Sequence, residues 1–167
     1  NIIGPVIEEA KDWGNIPIIA AGGVWDKNDI DKFIGMGCAG VQMATRFIGT
    51  FECDADAQFK NVLLNAKAED IQLMKSPVGL PARGVMTNLQ FSIENKTAPK
   101  VQCISNCVSP CNRGHEAKIV GYCIADRLGA AYQGDTETGL FFSGSNGYRI
   151  EKIISVKELM EKLTKGE

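Results

Sequence analysis

Two segments with glycine or threonine follow runs of apolar residues in the first third of the chain. Gly22 and Gly23 come directly after the apolar run 16–21, and Thr45 follows the run 40–44. Glycine lets a backbone approach a ligand without a Cβ in the way, and N–H groups at the start of a helix can hold a phosphate. The spacing therefore predicts a phosphate site made by two loops. A tight strand-to-helix turn is the alternative explanation of the glycine pair.

The elements around these loops predict a parallel strand–helix–strand unit. Residues 16–21 are continuously apolar, which is typical of a strand buried on both faces. Asp26 is suited to cap a helix that extends to about residue 36, and residues 40–44 form the second strand. A crossover of this kind places the ends of both strands at one edge of the sheet. The two loops should therefore lie side by side.

Further elements follow with a weaker pattern. Helices are predicted over residues 4–13, from about residue 54, and over residues 116–133. Short strands are predicted at 71–74 and 139–142. Ser155 caps a last helix, in which Val156, Leu159, Met160 and Leu163 are expected to face inward. Residues 92–115 carry little periodicity.

A row of cysteines lies in that irregular segment. Three residues separate Cys103 from Cys107 and Cys107 from Cys111, and Cys123 follows after eleven more. Four thiols at this spacing could ligate zinc or an iron–sulfur cluster, although neither metal's common spacing is matched. Reduced free thiols, one or two disulfides, and redox-sensing thiols remain alternatives. His115, within the row, is expected to be a surface residue or to have a local structural role.

Composition narrows the class of protein. The 167 residues include 18 lysines and arginines against 20 aspartates and glutamates. No basic block predicts nucleic-acid binding, and no apolar run reaches the ~18 residues of a membrane helix. We therefore expect no nucleic-acid or membrane partner and a cytoplasmic location. The length is also below the ~200 residues that a complete (β/α)8 barrel needs.

Residues 16–24 read IPIIAAGGV and residues 36–47 read MGCAGVQMATRF. Together they resemble the nitronate monooxygenase family, formerly called 2-nitropropane dioxygenases, which includes the FMN-dependent enoyl-ACP reductase II. A weaker likeness continues through residues 76–83 and 156–160. The resemblance implies an α/β fold, the C-terminal part of a (β/α)8 TIM barrel with an additional helical, Cys-rich subdomain. Residues 1–67 would be the last barrel units and 68–167 the subdomain.

The resemblance also implies a cofactor site. Gly22, Gly23, Ala44 and Thr45 match the positions that hold the FMN phosphate in the family, with Ala44 replacing a usual glycine. Residues 143–147 resemble a late Gly-rich loop that returns near the flavin. The family's catalytic histidine precedes the part of the pattern that this sequence matches. The catalytic residue therefore stays unassigned.

The implied activity is FMN-dependent oxidation of nitronates or nitroalkanes with O2. Reduction of an enoyl-ACP with NAD(P)H is the alternative within the family, and a non-catalytic metal- or thiol-binding module is the alternative outside it. The expected partners are a small-molecule substrate and an upstream barrel segment, and a homodimer is compatible with the pattern. We expect the chain to be a C-terminal fragment that is inactive by itself.

Overall fold

The computed structural model describes residues 2–166. Contacts divide the chain into two compact units. Residues up to 53, together with those from 153 onward, form the first unit, and residues 54–152 form the second. The domain division at residue 67, which was drawn from motifs, stays a prediction.

The fold is mixed α/β, as predicted. Within residues 2–166 the helices and strands follow in the order α1 (Ile3–Asp12), β1 (Ile19–Ala21), α2 (Lys27–Gly35), β2 (Gly40–Gln42), α3 (Thr45–Ile48), α4 (Ala57–Asn65), β3 (Ile71–Met74), β4 (Ala82–Val85), α5 (Asn88–Glu94), α6 (His115–Val120), α7 (Ile124–Tyr132) and α8 (Val156–Lys165). Short 3-10 turns occupy Ala68–Asp70 and Gly147–Arg149. None of the helices in this part of the chain combines the length and apolar character that crossing a bilayer requires.

The first unit is built on the predicted strand–helix–strand crossover. Strands β1 and β2 are parallel neighbours, and Asp26 caps α2 by accepting a hydrogen bond from the backbone N–H of Asp29 at 3.1 Å. The expectation that β1 is buried on both faces is wrong. Ala20 is buried, whereas Ile19 is 53% exposed. Because successive side chains of a strand point to opposite faces, only one face of β1 is covered.

Helix α8 completes the first unit. The Ser155 hydroxyl accepts a hydrogen bond from the backbone N–H of Glu158 at 3.1 Å, which confirms the predicted N-cap. Leu159 and Leu163 are buried as predicted, but Met160 is 44% exposed. The apolar stripe that packs inward is therefore narrower than the sequence pattern indicated.

The second unit contains an antiparallel hairpin and a helical layer. Strands β3 and β4 pair with Ile71 opposite Val85; β3 was predicted, and β4 and α5 were not. Phe141 is fully buried and meets Phe59 edge to face, with ring centroids 5.0 Å apart. A buried apolar cluster in the same unit consists of Leu89, Tyr122 and Leu140.

Two predicted elements of this unit are wrong. The helix predicted over residues 116–133 is two helices, because Gly121 adopts φ +100° and ends α6 before α7 begins. A left-handed residue at this place is a common helix stop. The strand predicted at 139–142 is a single bridge between Phe142 and Gly84. Leu140 and Phe141 are both fully buried, so burial does not alternate as it does in a half-exposed strand.

Candidate cofactor-binding site

Two loops leave the first sheet at the same edge. Strands β1 and β2 run parallel, and their last residues, Ala21 and Gln42, are directly opposite each other. The carboxyl ends of parallel strands are the usual place of ligand sites in α/β folds. This register brings the loop that contains Gly22 and Gly23 to the same sheet edge as the loop that leads into α3.

The glycine pair makes the first loop. Gly22 and Gly23 have φ angles of +84° and +75°, in the left-handed region. A Cβ added to either residue would meet no other atom within 4 Å. Glycine is therefore required by the backbone conformation rather than by crowding. Both residues are exposed, so the loop surface is open to a ligand.

The second loop runs directly into a helical turn. Ala44 is the N-cap of α3 and Thr45 is its first residue. Ala44 has φ −133° and ψ −58°, which lies outside the left-handed region that favours glycine. The replacement of the family's usual glycine by Ala44 therefore causes no backbone strain. The first backbone N–H groups of α3 lie next to this loop.

Arg46 holds the second loop against the first. Its guanidinium lies 5.0 Å from the centroid of the Trp25 ring, and its Nη1 donates a hydrogen bond to the Trp25 carbonyl oxygen. Trp25 is only 6% exposed, and its backbone N–H donates to the Asp29 carboxylate at 2.8 Å. Arg46 thus links the loop after β2 to the loop after β1. Sequence reasoning missed Trp25, and no local motif marks it.

The cysteine row does not form the predicted metal site. Among residues 2–166, no three His, Cys, Asp or Glu side chains converge as metal ligands would. Cys111 and Cys123 are buried in an apolar cluster, whereas Cys103 is exposed. All six cysteines are free thiols. The zinc or iron–sulfur prediction is therefore not supported, and His115 is exposed as expected.

The loop at 143–147 is packed within the second unit. The backbone N–H of Ser143 donates to the Arg83 carbonyl oxygen at 3.2 Å. Gly147 is buried, and a Cβ there would lie 1.9 Å from the Ser143 hydroxyl oxygen. This close approach explains why residue 147 is glycine. A role of the loop near a flavin stays a prediction.

Two titratable side chains of the second unit have shifted pKa values. Burial raises the pKa of Tyr122 above its ordinary value, although a hydrogen bond with Ser76 partly opposes this. Hydrogen bonds from the Thr138 side chain and backbone lower the pKa of Asp135. Tyr122 donates to the Lys75 carbonyl oxygen at 2.6 Å. Both side chains therefore have local structural roles.

The crossover unit, with a glycine loop and a threonine-led turn at adjacent strand ends, defines an α/β protein with a candidate ligand site at one sheet edge. The sequence model of the family described as nitronate monooxygenase matches residues 3–166. The chain belongs to the nitronate monooxygenase family.

Individual relatives agree with this membership. Probable nitronate monooxygenases of Staphylococcus saprophyticus and Staphylococcus aureus strain Newman are each 32% identical over 80 residues, which are 48% of this chain and 22% of the relative. FabK from Thermotoga maritima is 26% identical with a TM-score of 0.74, over 98% of this chain and 47% of that one. Nitroalkane oxidase from Streptomyces ansochromogenes is 22% identical and shares the fold. Its TM-score is 0.66, and the match covers 98% of this chain and 43% of that one. The chain thus spans less than half the length of these proteins.

Proposed function

We propose that this chain forms part of an FMN-dependent oxidoreductase of the nitronate monooxygenase type. Gly22, Gly23, Ala44 and Thr45 would bind the FMN phosphate. The observation that carries the proposal is the parallel register of β1 and β2, which brings the two loops to one sheet edge. Gly22 and Gly23 have left-handed backbones, and a Cβ added to either would meet no atom within 4 Å. This loop, beside the start of α3, therefore has room for an anionic group.

Each of these residues has a distinct part in holding the phosphate. Gly22 and Gly23 keep the first loop free of side chains, so that the backbone can approach the phosphate oxygens. The backbone N–H of Thr45 and its hydroxyl donate from the second loop. Bound FMN supplies the electron transfer, and the protein supplies position and electrostatic stabilisation.

The proposed reaction is the oxidation of nitronates or nitroalkanes with O2. Residues 16–24 and 36–47 also resemble the FMN-dependent enoyl-ACP reductases of the same family, so reduction of an enoyl thioester with NAD(P)H is the second candidate. Both reactions would use the same phosphate loops. The difference between them lies in substrate contacts, which the phosphate loops do not determine.

The rest of the barrel is proposed to come from an upstream segment of a longer protein. Within residues 2–166, β1 and β2 pair only with each other. A groove of about 610 Å3 lies beside β2, and its lining includes Val41, Met43, Phe47 and Leu163. A closed barrel requires a further strand on each side of this pair. We propose that the upstream strands cover this groove and complete the flavin site.

The test uses the longer protein that contains this chain. Purified protein should carry bound flavin, detected by its visible absorbance, and should consume O2 with a nitronate. Thr45→Val should weaken FMN binding roughly 10- to 100-fold, because a hydrogen bond to a charged group contributes about 1.5–3 kcal/mol. Thr97→Val, at an exposed threonine of the second unit whose hydroxyl donates to the Ser92 carbonyl oxygen, is the matched control and should leave FMN affinity unchanged.

The outcomes separate the candidates. Turnover of an enoyl thioester with NAD(P)H, and none of a nitronate, would favour the second candidate and leave the phosphate site intact. A protein that takes up no FMN would overturn the proposal. Equal FMN affinity in Thr45→Val and wild type would show that the Thr45 hydroxyl does not bind the phosphate, and would leave the roles of the other residues unchanged.

A further inference from the structure

Three of the four cysteines of the second unit meet in one cluster that includes Ala117 of α6. Cys111 and Cys123 are 6% and 5% exposed and share a buried cluster with Ala117. Cys107 is half-buried and packs against that cluster. Cys103 is exposed, and its side chain lies over Gly114, where an added Cβ would come within 2.9 Å of the Cys103 Cβ. The half-buried thiol of Cys107 therefore adjoins the buried cluster of Cys111 and Cys123.

Backbone hydrogen bonds fold the row onto itself. The N–H of Arg113 donates to the Cys107 carbonyl oxygen at 2.5 Å, and the N–H of Glu116 donates to the Cys111 carbonyl oxygen at 3.3 Å. Residues 112–114 all have positive φ angles, between +43° and +86°, and turn the chain back toward Cys107. The loop that carries Cys107 and Cys111 is thus closed at the start of α6.

We propose that Cys107 and one buried thiol of this cluster, Cys111 or Cys123, form a redox-active dithiol that exchanges with small-molecule disulfides. Cys107 is the reacting thiol because it is accessible and also contacts the buried cluster. Cys103 is accessible as well, but it lies over Gly114, outside that cluster. The proposal is independent of the FMN site.

The exchange has two balanced steps. The Cys107 thiolate attacks one sulfur of the small-molecule disulfide, whose S–S bond breaks and releases one thiol. The buried thiol then loses its proton and attacks the Cys107 sulfur of the mixed disulfide, which releases the second small thiol. Two protein thiols are oxidised to one disulfide, and the small disulfide is reduced to two thiols.

The experiment uses oxidised glutathione as the disulfide. Fully reduced protein is exposed to it, free thiols are alkylated, and the product is mapped by peptide mass spectrometry. Wild type should lose the alkylatable thiols of Cys107 and one buried cysteine, keep no glutathione on Cys107, and contain a Cys107–Cys111 or Cys107–Cys123 link. Cys107→Ser should abolish the link, and the control Cys103→Ser should retain it. Substitution of the buried partner, Cys111 or Cys123, by serine should leave glutathione attached to Cys107, because the second attack can no longer occur.

Wild-type mapping alone can overturn the proposal, even where a variant fails to fold. Six alkylatable thiols after glutathione treatment would overturn it, as would a disulfide that joins Cys103 or two protein molecules. Protein purified without oxygen should hold no metal on these cysteines. Zinc or iron that is retained there and lost in Cys107→Ser would overturn the dithiol proposal and indicate a metal site instead.

Discussion

Removal of the Arg46 side chain tests whether the two phosphate loops are held together as the structure indicates. Arg46→Ala removes a cation–π contact with Trp25, valued at about 0.5–2 kcal/mol. It also removes a charged hydrogen bond to the Trp25 carbonyl oxygen, valued at about 1.5–3 kcal/mol. Arg46 is half-buried and the two contributions overlap, so we expect a loss of about 3 kcal/mol in the free energy of unfolding.

Denaturant unfolding of the flavin-free protein measures this loss. Lys11→Ala, which breaks the exposed pair of Lys11 with Glu8 on α1, is the matched control and should cost about 0.5 kcal/mol or less. Arg46→Lys should recover only part of the loss, because an ammonium lacks the planar fork that stacks on a ring.

A double-mutant cycle isolates the ring contact. Arg46→Ala combined with Trp25→Leu should show a coupling energy of about 0.5–2 kcal/mol without flavin. A coupling near zero, with Arg46→Ala as stable as wild type, would refute the role of Arg46 as a link between the loops. If FMN affinity nevertheless fell in that variant, Arg46 would be a phosphate ligand instead.

Two predictions concern the second unit. Tyr122→Phe leaves the Lys75 carbonyl oxygen without the hydrogen bond it accepts at 2.6 Å, and should lower the free energy of unfolding by about 1–3 kcal/mol in denaturant titrations. Asp135 has a folded-state pKa below its ordinary value of 3.8, so the unfolded chain takes up a proton first as the pH falls. The stability from this group is present above that value and is lost as the pH falls through the folded-state pKa. Asp135→Asn should therefore lose less stability than wild type in unfolding measured from about pH 4 downward.

Local signals predicted much of the first unit. The caps at Asp26 and Ser155 form as expected, because N-cap hydrogen bonds join residues two or three positions apart. The crossover also follows from local pattern, since a short apolar run on each side of one amphipathic helix favours parallel pairing. The exposure of Ile19 did not follow, because burial of a face depends on elements distant in the chain.

The second unit was less predictable for the same reason. The apolar stripe of residues 116–133 continues across Gly121, so periodicity alone joined two helices that a single left-handed residue separates. Strand β4 carries no alternating pattern of its own and is defined by its pairing with β3. The predicted metal site is not supported, because Cys103 is exposed and Cys111 is buried, a difference in burial that sequence spacing does not reveal.

The candidate site divides into parts that sequence can and cannot reveal. Gly22 and Gly23 can be recognised in the sequence because their positive φ angles favour glycine over residues that carry a Cβ. The contact of Arg46 with Trp25 spans 21 positions, and it depends on the register of β1 and β2. Only the structure could therefore assign Arg46 to loop positioning.

The glycines of the family pattern are not physically equivalent, and this decides where substitutions are tolerated. The backbone at Gly22 and Gly23 is left-handed, and a residue with a side chain would adopt that conformation at a cost of about 1–2 kcal/mol. At Ala44 the φ angle of −133° lies outside the left-handed region. Phosphate binding by main-chain N–H groups depends on backbone shape and not on the side chain removed or added. The substitution at Ala44 is therefore compatible with the proposed FMN site, whereas the same substitution at Gly22 would deform it.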